Sequence, residues 1–71
     1  MTLASILVVD PDTSVRDQIA SGLRELGHEV DETADAGSAL AAVRSKQPDL
    51  MVCDWRLPDL AGVELLNDVR R

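Results

Sequence analysis

The chain has 71 residues, which is enough for one small domain and too few for two. Its 13 acidic residues outnumber the 7 basic ones, and the net charge of −6 argues against nucleic-acid binding through this segment. No apolar run approaches the roughly 18 residues of a membrane span, no signal peptide is recognisable, and the single cysteine, Cys53, has no partner for an internal disulfide. We therefore expect a cytoplasmic protein that makes no membrane contact.

The first predicted elements are a strand and a helix. Residues 6–9 form a continuous apolar run, which predicts a strand buried on both faces of a parallel sheet. A helix follows, with Asp12, Thr13 or Ser14 as its candidate N-cap and Gly27 as its left-handed C-terminal residue. Its inward face is predicted to be an apolar stripe at helical spacing: Val15, Ile19, Leu23 and Leu26.

A weaker strand and a second helix come next. Residues 29–33 contain one strongly apolar side chain, Val30, and this composition predicts an edge strand. The second helix is predicted to begin at Gly37 or Ser38 and to end at about Ser45, before Pro48. Its inward-facing residues are predicted to be Ala39, Leu40 and Val43.

The last predicted elements are another strand and another helix. Residues 50–53 form a second apolar run, which predicts a strongly buried strand that ends at Asp54, and a third helix is predicted over residues 63–69. Strands that alternate with helices predict an α/β fold with a doubly wound, parallel sheet. We expect the order β-α-β-α-β-α along the chain and the spatial strand order 2-1-3.

Both strongly apolar strands are followed by an aspartate, Asp10 in one case and Asp54 in the other. A single aspartate after a strand is usually a turn residue or a helix cap. In a parallel sheet, however, the carboxyl ends of all strands meet at one edge, and ligands bind there. Two carboxylates at neighbouring strand ends favour a bound cation, and oxygen ligands indicate Mg²⁺.

Five segments follow one another in an order that is typical of one family. They are residues 6–10 with Arg16, residues 34–40, residues 48–54, Leu57 and Pro58 with Gly62, and residues 64–66 with Arg70. At these spacings the chain resembles the receiver domains of response regulators in two-component signalling. The resemblance implies a flavodoxin-like receiver fold and a signalling module rather than a multi-turnover enzyme.

The resemblance also implies a role for individual residues. Asp54 matches the aspartate that accepts a phosphoryl group from a histidine kinase or phosphotransfer protein, and the modified domain then regulates an output domain or effector protein. Asp10 matches an acid near Mg²⁺ that usually acts through water, and the backbone carbonyl of Arg56 matches a metal ligand. A carboxylate nucleophile of this kind forms an acyl phosphate, which adds negative charge at the sheet edge.

One position departs from the family pattern. Receivers usually have two consecutive acids after the first strand, but here Asp10 is followed by Pro11, and Asp12 falls one position late. The missing acid is a direct metal ligand in the family, and proline supplies neither a carboxylate nor a backbone N–H. We expect weak Mg²⁺ binding unless Asp12 turns inward.

The chain also matches only part of the family pattern. Receivers have five strands, so residues 1–71 correspond to the N-terminal part of a receiver domain, without the fourth and fifth strands and their helices. Those strands are followed by the hydroxyl residue and the lysine that contact the phosphoryl group. The only lysine here, Lys46, is expected at the opposite sheet edge from Asp54. An open edge on the third strand predicts self-association as a homodimer or larger assembly.

Two other functions stay open at the level of the sequence. Pro11 favours a phosphate-independent, receiver-like module that acts through protein contacts alone. Residues 10–14 also look like the first motif of haloacid-dehalogenase-type phosphatases, in which Asp10 would be the nucleophile and Asp12 a general acid. Cys53 adjoins Asp54 and is expected to be an inert side chain that packs on the opposite face of the sheet.

Overall fold

A computed structural model describes residues 3–54, and within this range strands and helices alternate. The five elements are β1 (Ser5–Val9), α1 (Thr13–Glu25), β2 (Glu29–Thr33), α2 (Ala36–Lys46) and β3 (Leu50–Cys53). Their order and type agree with the prediction. The predicted third helix, over residues 63–69, lies outside the described residues, as does the backbone carbonyl of Arg56.

The three strands form one parallel sheet in the order β2-β1-β3, as predicted. The register pairs Val9 at the end of β1 with Thr33 of β2 and with Cys53 of β3. All three strands therefore end at the same edge of the sheet. Neither α1 nor α2 has the length and apolar character that a helix needs to cross a bilayer.

The central strand β1 is buried on both faces, which explains its continuous apolar sequence. Its side chains alternate between two hydrophobic clusters, one on each side of the sheet. The α2-side cluster is centred on four buried residues: Leu7, Val9, Ala36 and Ala39. The α1-side cluster is centred on four others: Ile6, Val8, Ala20 and Val30. The sheet is therefore covered by a helix on each face, as the doubly wound prediction requires.

Capping residues set both ends of α1. Asp12 is the N-cap, and its carboxylate accepts hydrogen bonds from the backbone N–H groups of Ser14 and Val15. The alternative caps, Thr13 and Ser14, are wrong, because the helix already begins at Thr13. At the other end Gly27 has a φ of 95°, a left-handed conformation that glycine adopts without a Cβ clash, as predicted.

The apolar stripe predicted for α1 is correct only in its middle. Ile19 and Leu23 pack against the α1-side cluster around Ala20, whereas Val15 and Leu26 are exposed. Leu26 is the C-cap, where the chain leaves the helix, and Val15 lies in the first turn. Both residues therefore fall outside the part of α1 that covers the sheet.

The helix α2 begins at Ala36, one residue before the predicted range, because Asp35 caps it by accepting from the N–H of Ser38 at 2.7 Å. Gln47, with a φ of 49°, ends it just before Pro48. The predicted inward face is confirmed, since Ala39 is buried and two further residues pack beside it, Leu40 and Val43.

The strand β3 is less buried than predicted. Leu50 is 56% exposed, and the other three residues of the strand are half-buried. Among the described strands β3 pairs only with β1, so it lies at an edge of this sheet, whereas β1 is covered on both edges. The apolar run over residues 50–53 therefore predicted the strand correctly, but the prediction that this strand is strongly buried was wrong.

Candidate functional site

Asp10 and Asp54 lie side by side at the carboxyl edge of the sheet. The register pairs Val9 with Cys53, so these two aspartates occupy the next position on neighbouring strands, which are spaced by about 4.8 Å. The N–H of Asp54 donates a hydrogen bond to the carbonyl of Val9, with an N···O distance of 2.8 Å. The structure thus brings together the two acids that the sequence singled out.

Strand alternation also assigns the two aspartates to one face of the sheet. Val8 and Val52, which precede them by two positions, both belong to the α1-side cluster. Side chains two positions apart on a strand point to the same face. Both aspartates are half-buried, so each backbone is set by the sheet while its side chain keeps some access to solvent.

A tight turn holds the carboxylate of Asp10. The Oδ1 atom of Asp10 accepts a hydrogen bond from the N–H of Asp12 at 2.9 Å, which closes an Asx turn around Pro11. The proline ring fixes the backbone of this turn at its middle residue. Pro11 therefore occupies the position of the second acid of the family pattern, and its ring also restricts the orientation of Asp10.

Asp12 serves as the helix cap. Its Oδ1 atom accepts from the N–H of Ser14 at 2.9 Å and from the N–H of Val15 at 3.2 Å, and the residue is exposed. Metal binding through this oxygen would compete with the two capping hydrogen bonds. A metal role for Asp12 stays a prediction.

Cys53 packs on the α2 side of the sheet, away from the face assigned to the aspartates, as predicted. Its thiol donates to the carbonyl oxygen of Asp54 at 3.2 Å. Burial raises the pKa of Cys53, and the negative charges of Asp54 and Asp10 raise this pKa further. Both carboxylates are therefore close enough to act on one thiol, which agrees with their placement at a common edge.

The lysine of the chain is engaged elsewhere. The Nζ atom of Lys46 lies 3.0 Å from Oδ1 of Asp31 in β2. The hydrogen bond with Asp31 and the negative charge of that residue raise the pKa of Lys46. Because β2 and β3 flank β1 on opposite sides, this ion pair is separated from Asp54 by the central strand.

Arg16 makes contacts that the sequence pattern did not predict. Its guanidinium donates to the backbone carbonyl of Asp10 at 2.8 Å and lies 3.6 Å from the carboxylate of Glu32 in β2. A basic residue near a helix N-terminus is electrostatically unfavourable, because that end of the helix dipole is positive. This placement was the one sign in the sequence that Arg16 had a specific partner.

Within residues 3–54 no group of three or more histidine, cysteine or acidic side chains is arranged to hold a metal ion. The described part of the site consists of one pair of carboxylates, from Asp10 and Asp54. These oxygen donors suit Mg²⁺ chemically, and Pro11 adds no side-chain oxygen beside them.

Comparison with known proteins supports the same interpretation. The family model for the response regulator receiver domain matches residues 6–71. The chain belongs to the response regulator receiver domain family. Such domains are signalling modules of two-component systems rather than typical enzymes, they interact with histidine kinases and output domains, and they typically bind Mg²⁺.

Three similar proteins illustrate the range of the family. The chain is 36% identical over 67 residues to the phosphate regulon transcriptional regulatory protein PhoB of Pseudomonas aeruginosa, covering 94% of this chain and 29% of PhoB. It is 42% identical over 67 residues to the sensor histidine kinase AruS of Pseudomonas aeruginosa, covering 93% of this chain and 7% of AruS. The solved structure of the chemotaxis response regulator CheY4 of Vibrio cholerae matches with a TM-score of 0.94 and 33% identity, over 97% of this chain and 57% of CheY4.

The chain therefore spans little more than half the length of CheY4 and less than a third of PhoB. The resemblance inferred from the sequence is confirmed, and the described fold is a CheY-like receiver fold with strand order 2-1-3. Family membership disfavours the haloacid-dehalogenase alternative.

Proposed function

We propose that this chain is a phosphoacceptor module, in which Asp54 receives a phosphoryl group from a histidine kinase or phosphotransfer protein. The observation that carries the proposal is the adjacent placement of Asp10 and Asp54 at the carboxyl edge of a parallel sheet. A carboxylate oxygen of Asp54 attacks phosphorus, the phosphorus–nitrogen bond of the phosphohistidine breaks, and the electron pair of that bond leaves with the imidazole. The product is an acyl phosphate on Asp54.

The local hydrogen bonds of Asp10 suit a residue that holds a fixed position beside the proposed cation. One carboxylate oxygen of Asp10 accepts from the N–H of Asp12, and the Asp10 carbonyl accepts from Arg16. These contacts hold Asp10 in a fixed orientation and reduce the electron density available on one of its oxygens. They suit a residue that orients a cation or its water.

Asp10 and Asp54 are the described residues that would hold Mg²⁺, with the Arg56 carbonyl and Asp12 as further proposed ligands. When bound, Mg²⁺ orients phosphoryl oxygens and offsets their negative charge. The two carboxylates by themselves repel an incoming phosphoryl group, so phosphorylation is expected to depend on the cation. Pro11 stands where the family has a carboxylate, so we expect Mg²⁺ to bind weakly. The rate of phosphorylation should therefore keep rising with the Mg²⁺ concentration until that concentration is high.

Regulation of a partner follows from the charge of the product. An acyl phosphate adds up to about two negative charges at this edge of the sheet, next to the turn that begins α1. We propose that an output domain or effector protein detects this change, and that a cytoplasmic histidine kinase domain supplies the phosphoryl group. Self-association through the outer edge of β3 is a separate proposal, supported by the exposure of Leu50 at the start of that strand.

The test is phosphorylation by acetyl phosphate, a small acyl phosphate, in the presence of MgCl₂. We expect mass spectrometry of the intact protein to show one added phosphoryl group and peptide mapping to place it on Asp54. Asp54→Asn is the matched variant and should acquire no phosphoryl group. The proposal is wrong if neither acetyl phosphate nor a cognate kinase labels the protein, or if Asp54→Asn is labelled equally.

A phosphate-independent module is the second candidate, and the observation that favours it is Pro11 at the edge where the family has an acid. It predicts that the protein and its Asp54→Asn variant bind an output partner with equal affinity, with or without acetyl phosphate. Phosphorylation-dependent affinity would exclude this candidate.

A further inference from the structure

We propose that Arg16 positions Asp10 for cation binding through its hydrogen bond to the Asp10 backbone carbonyl. The inference rests on the proposed function, because it concerns the same pair of carboxylates. Arg16 does not belong to that pair and is not expected to touch the cation. It is a positioning residue that acts through the backbone of Asp10.

One guanidinium connects three segments of the chain. The Nη1 atom of Arg16 donates to the carbonyl of Asp10 at 2.8 Å, Nη2 lies 3.4 Å from the hydroxyl of Thr13, and Nε lies 3.6 Å from Oε1 of Glu32. The side chains of Arg16 and Glu32 are 16% and 22% exposed, so solvent screens this ion pair less than it would an exposed pair. Arg16 therefore ties the end of β1 to the first turn of α1 and to β2.

These contacts matter because they hold the carbonyl and the carboxylate of Asp10, whose backbone N–H donates to the carbonyl of Thr33 at 3.1 Å. Arg16 fixes the backbone carbonyl of Asp10, and the N–H of Asp12 fixes its carboxylate through the turn at Pro11. Loss of the Arg16 contact frees the peptide between Asp10 and Pro11 to rotate, and the carboxylate moves with it. With only two carboxylates in the described site, a misplaced Asp10 removes half of the charge available to the cation.

Arg24 provides a matched control within the same network. Its Nη1 atom lies 3.1 Å from Oε2 of Glu32, so it shares the same carboxylate as Arg16. Its other hydrogen bond goes to the carbonyl of Val30, near the start of β2, at 2.9 Å. Substitution of Arg24 removes a shorter but more exposed ion pair to the same carboxylate and leaves the Asp10 carbonyl contact in place.

The experiment compares Arg16→Gln with Arg24→Gln in two measurements. The first is hydrogen exchange of the Asp12 amide in metal-free protein, relative to exchange of the Val8 amide in β1. The second is the dissociation constant for Mg²⁺. We expect Arg16→Gln to accelerate Asp12 exchange selectively and to raise the dissociation constant about tenfold, the range found when residues that orient metal ligands are replaced. We expect Arg24→Gln to change neither quantity more than twofold.

The two measurements separate failure of this inference from failure of the proposed function. If the unmodified protein binds no Mg²⁺, the proposed cation site is wrong, and selective exchange at Asp12 alone decides whether Arg16 positions Asp10. If the protein binds Mg²⁺ and the two variants weaken binding equally, Arg16 has only a general structural role and the inference is overturned. Equal Asp12 exchange in the two variants overturns it as well.

Discussion

Replacement of Pro11 by aspartate should strengthen Mg²⁺ binding substantially. Pro11 is exposed and directly follows Asp10, so an aspartate fits there without disturbing the core and adds a third carboxylate at the edge. Two opposite unit charges about 4 Å apart attract by about 1 kcal/mol in water, so a new carboxylate attracts a divalent ion by about 2 kcal/mol. This free energy corresponds to about a thirtyfold lower dissociation constant. The metal-free variant should be less stable by about 0.4–1 kcal/mol, because the proline no longer restricts the unfolded chain.

Isothermal titration calorimetry with MgCl₂ measures the affinity, and urea unfolding without metal measures the stability. Pro11→Ala is the control, since it removes the same ring without adding a charge. We expect it to lose similar stability and to keep the original affinity within about twofold. An equal affinity of Pro11→Asp and Pro11→Ala for Mg²⁺ would contradict this expectation, because the new carboxylate would then not face the cation.

Three further predictions concern the cap, the thiol and the sheet edge. Asp12→Ala should lower the free energy of unfolding by about 0.5–2 kcal/mol. Asp12→Asn can still cap α1, so its free energy of unfolding should fall clearly less. Equal losses for the two variants in urea unfolding would count against the cap. The raised pKa of Cys53 means that the folded state holds the thiol proton more tightly than the unfolded state does. The contribution of this proton to the free energy of unfolding is therefore complete below the unfolded pKa and is lost as the pH rises through the folded pKa. Alkylation by iodoacetamide should therefore be slower in folded than in urea-unfolded protein at mildly alkaline pH, and equal rates would contradict the shift. If β3 is an open edge, sedimentation should show dimers or larger species that Leu50→Lys disperses, and a uniform monomer would refute self-association.

The strand order and the pair of acids were predictable because both depend on local sequence pattern. A continuous apolar run such as residues 6–9 is compatible with a strand that is covered on both faces, and alternation with helices then requires parallel strands. Once the strands are parallel and adjacent, Asp10 and Asp54 must reach the same edge. The Asx turn at Asp10 and the hydrogen bond from Arg16 to the Asp10 carbonyl, which fix the position of Asp10, became visible only in the structure.

Burial and long-range polar contacts were less predictable, for a physical reason. The exposure of Leu26 and Leu50 depends on where a helix ends over the sheet and on which strands flank β3, and neither is encoded in the spacing of apolar residues. The pairing of Arg16 with Glu32 joins a helix to a strand that is distant in sequence, so only the tertiary fold brings the two together. The sequence offered Asp12 both as a cap and as a ligand, and the geometry of α1 confirms the cap.

Paramagnetic relaxation by Mn²⁺, which favours the same oxygen ligands as Mg²⁺, tests most directly whether Asp10 and Asp54 form one cation site. We expect low concentrations of Mn²⁺ to broaden the amide resonances of Asp10 and Asp54 together, excess Mg²⁺ to restore both, and Asp54→Asn to reduce the broadening at Asp10. Broadening at Asp10 that is as strong in Asp54→Asn as in the unmodified protein, or broadening that Mg²⁺ leaves unchanged, would contradict a shared site.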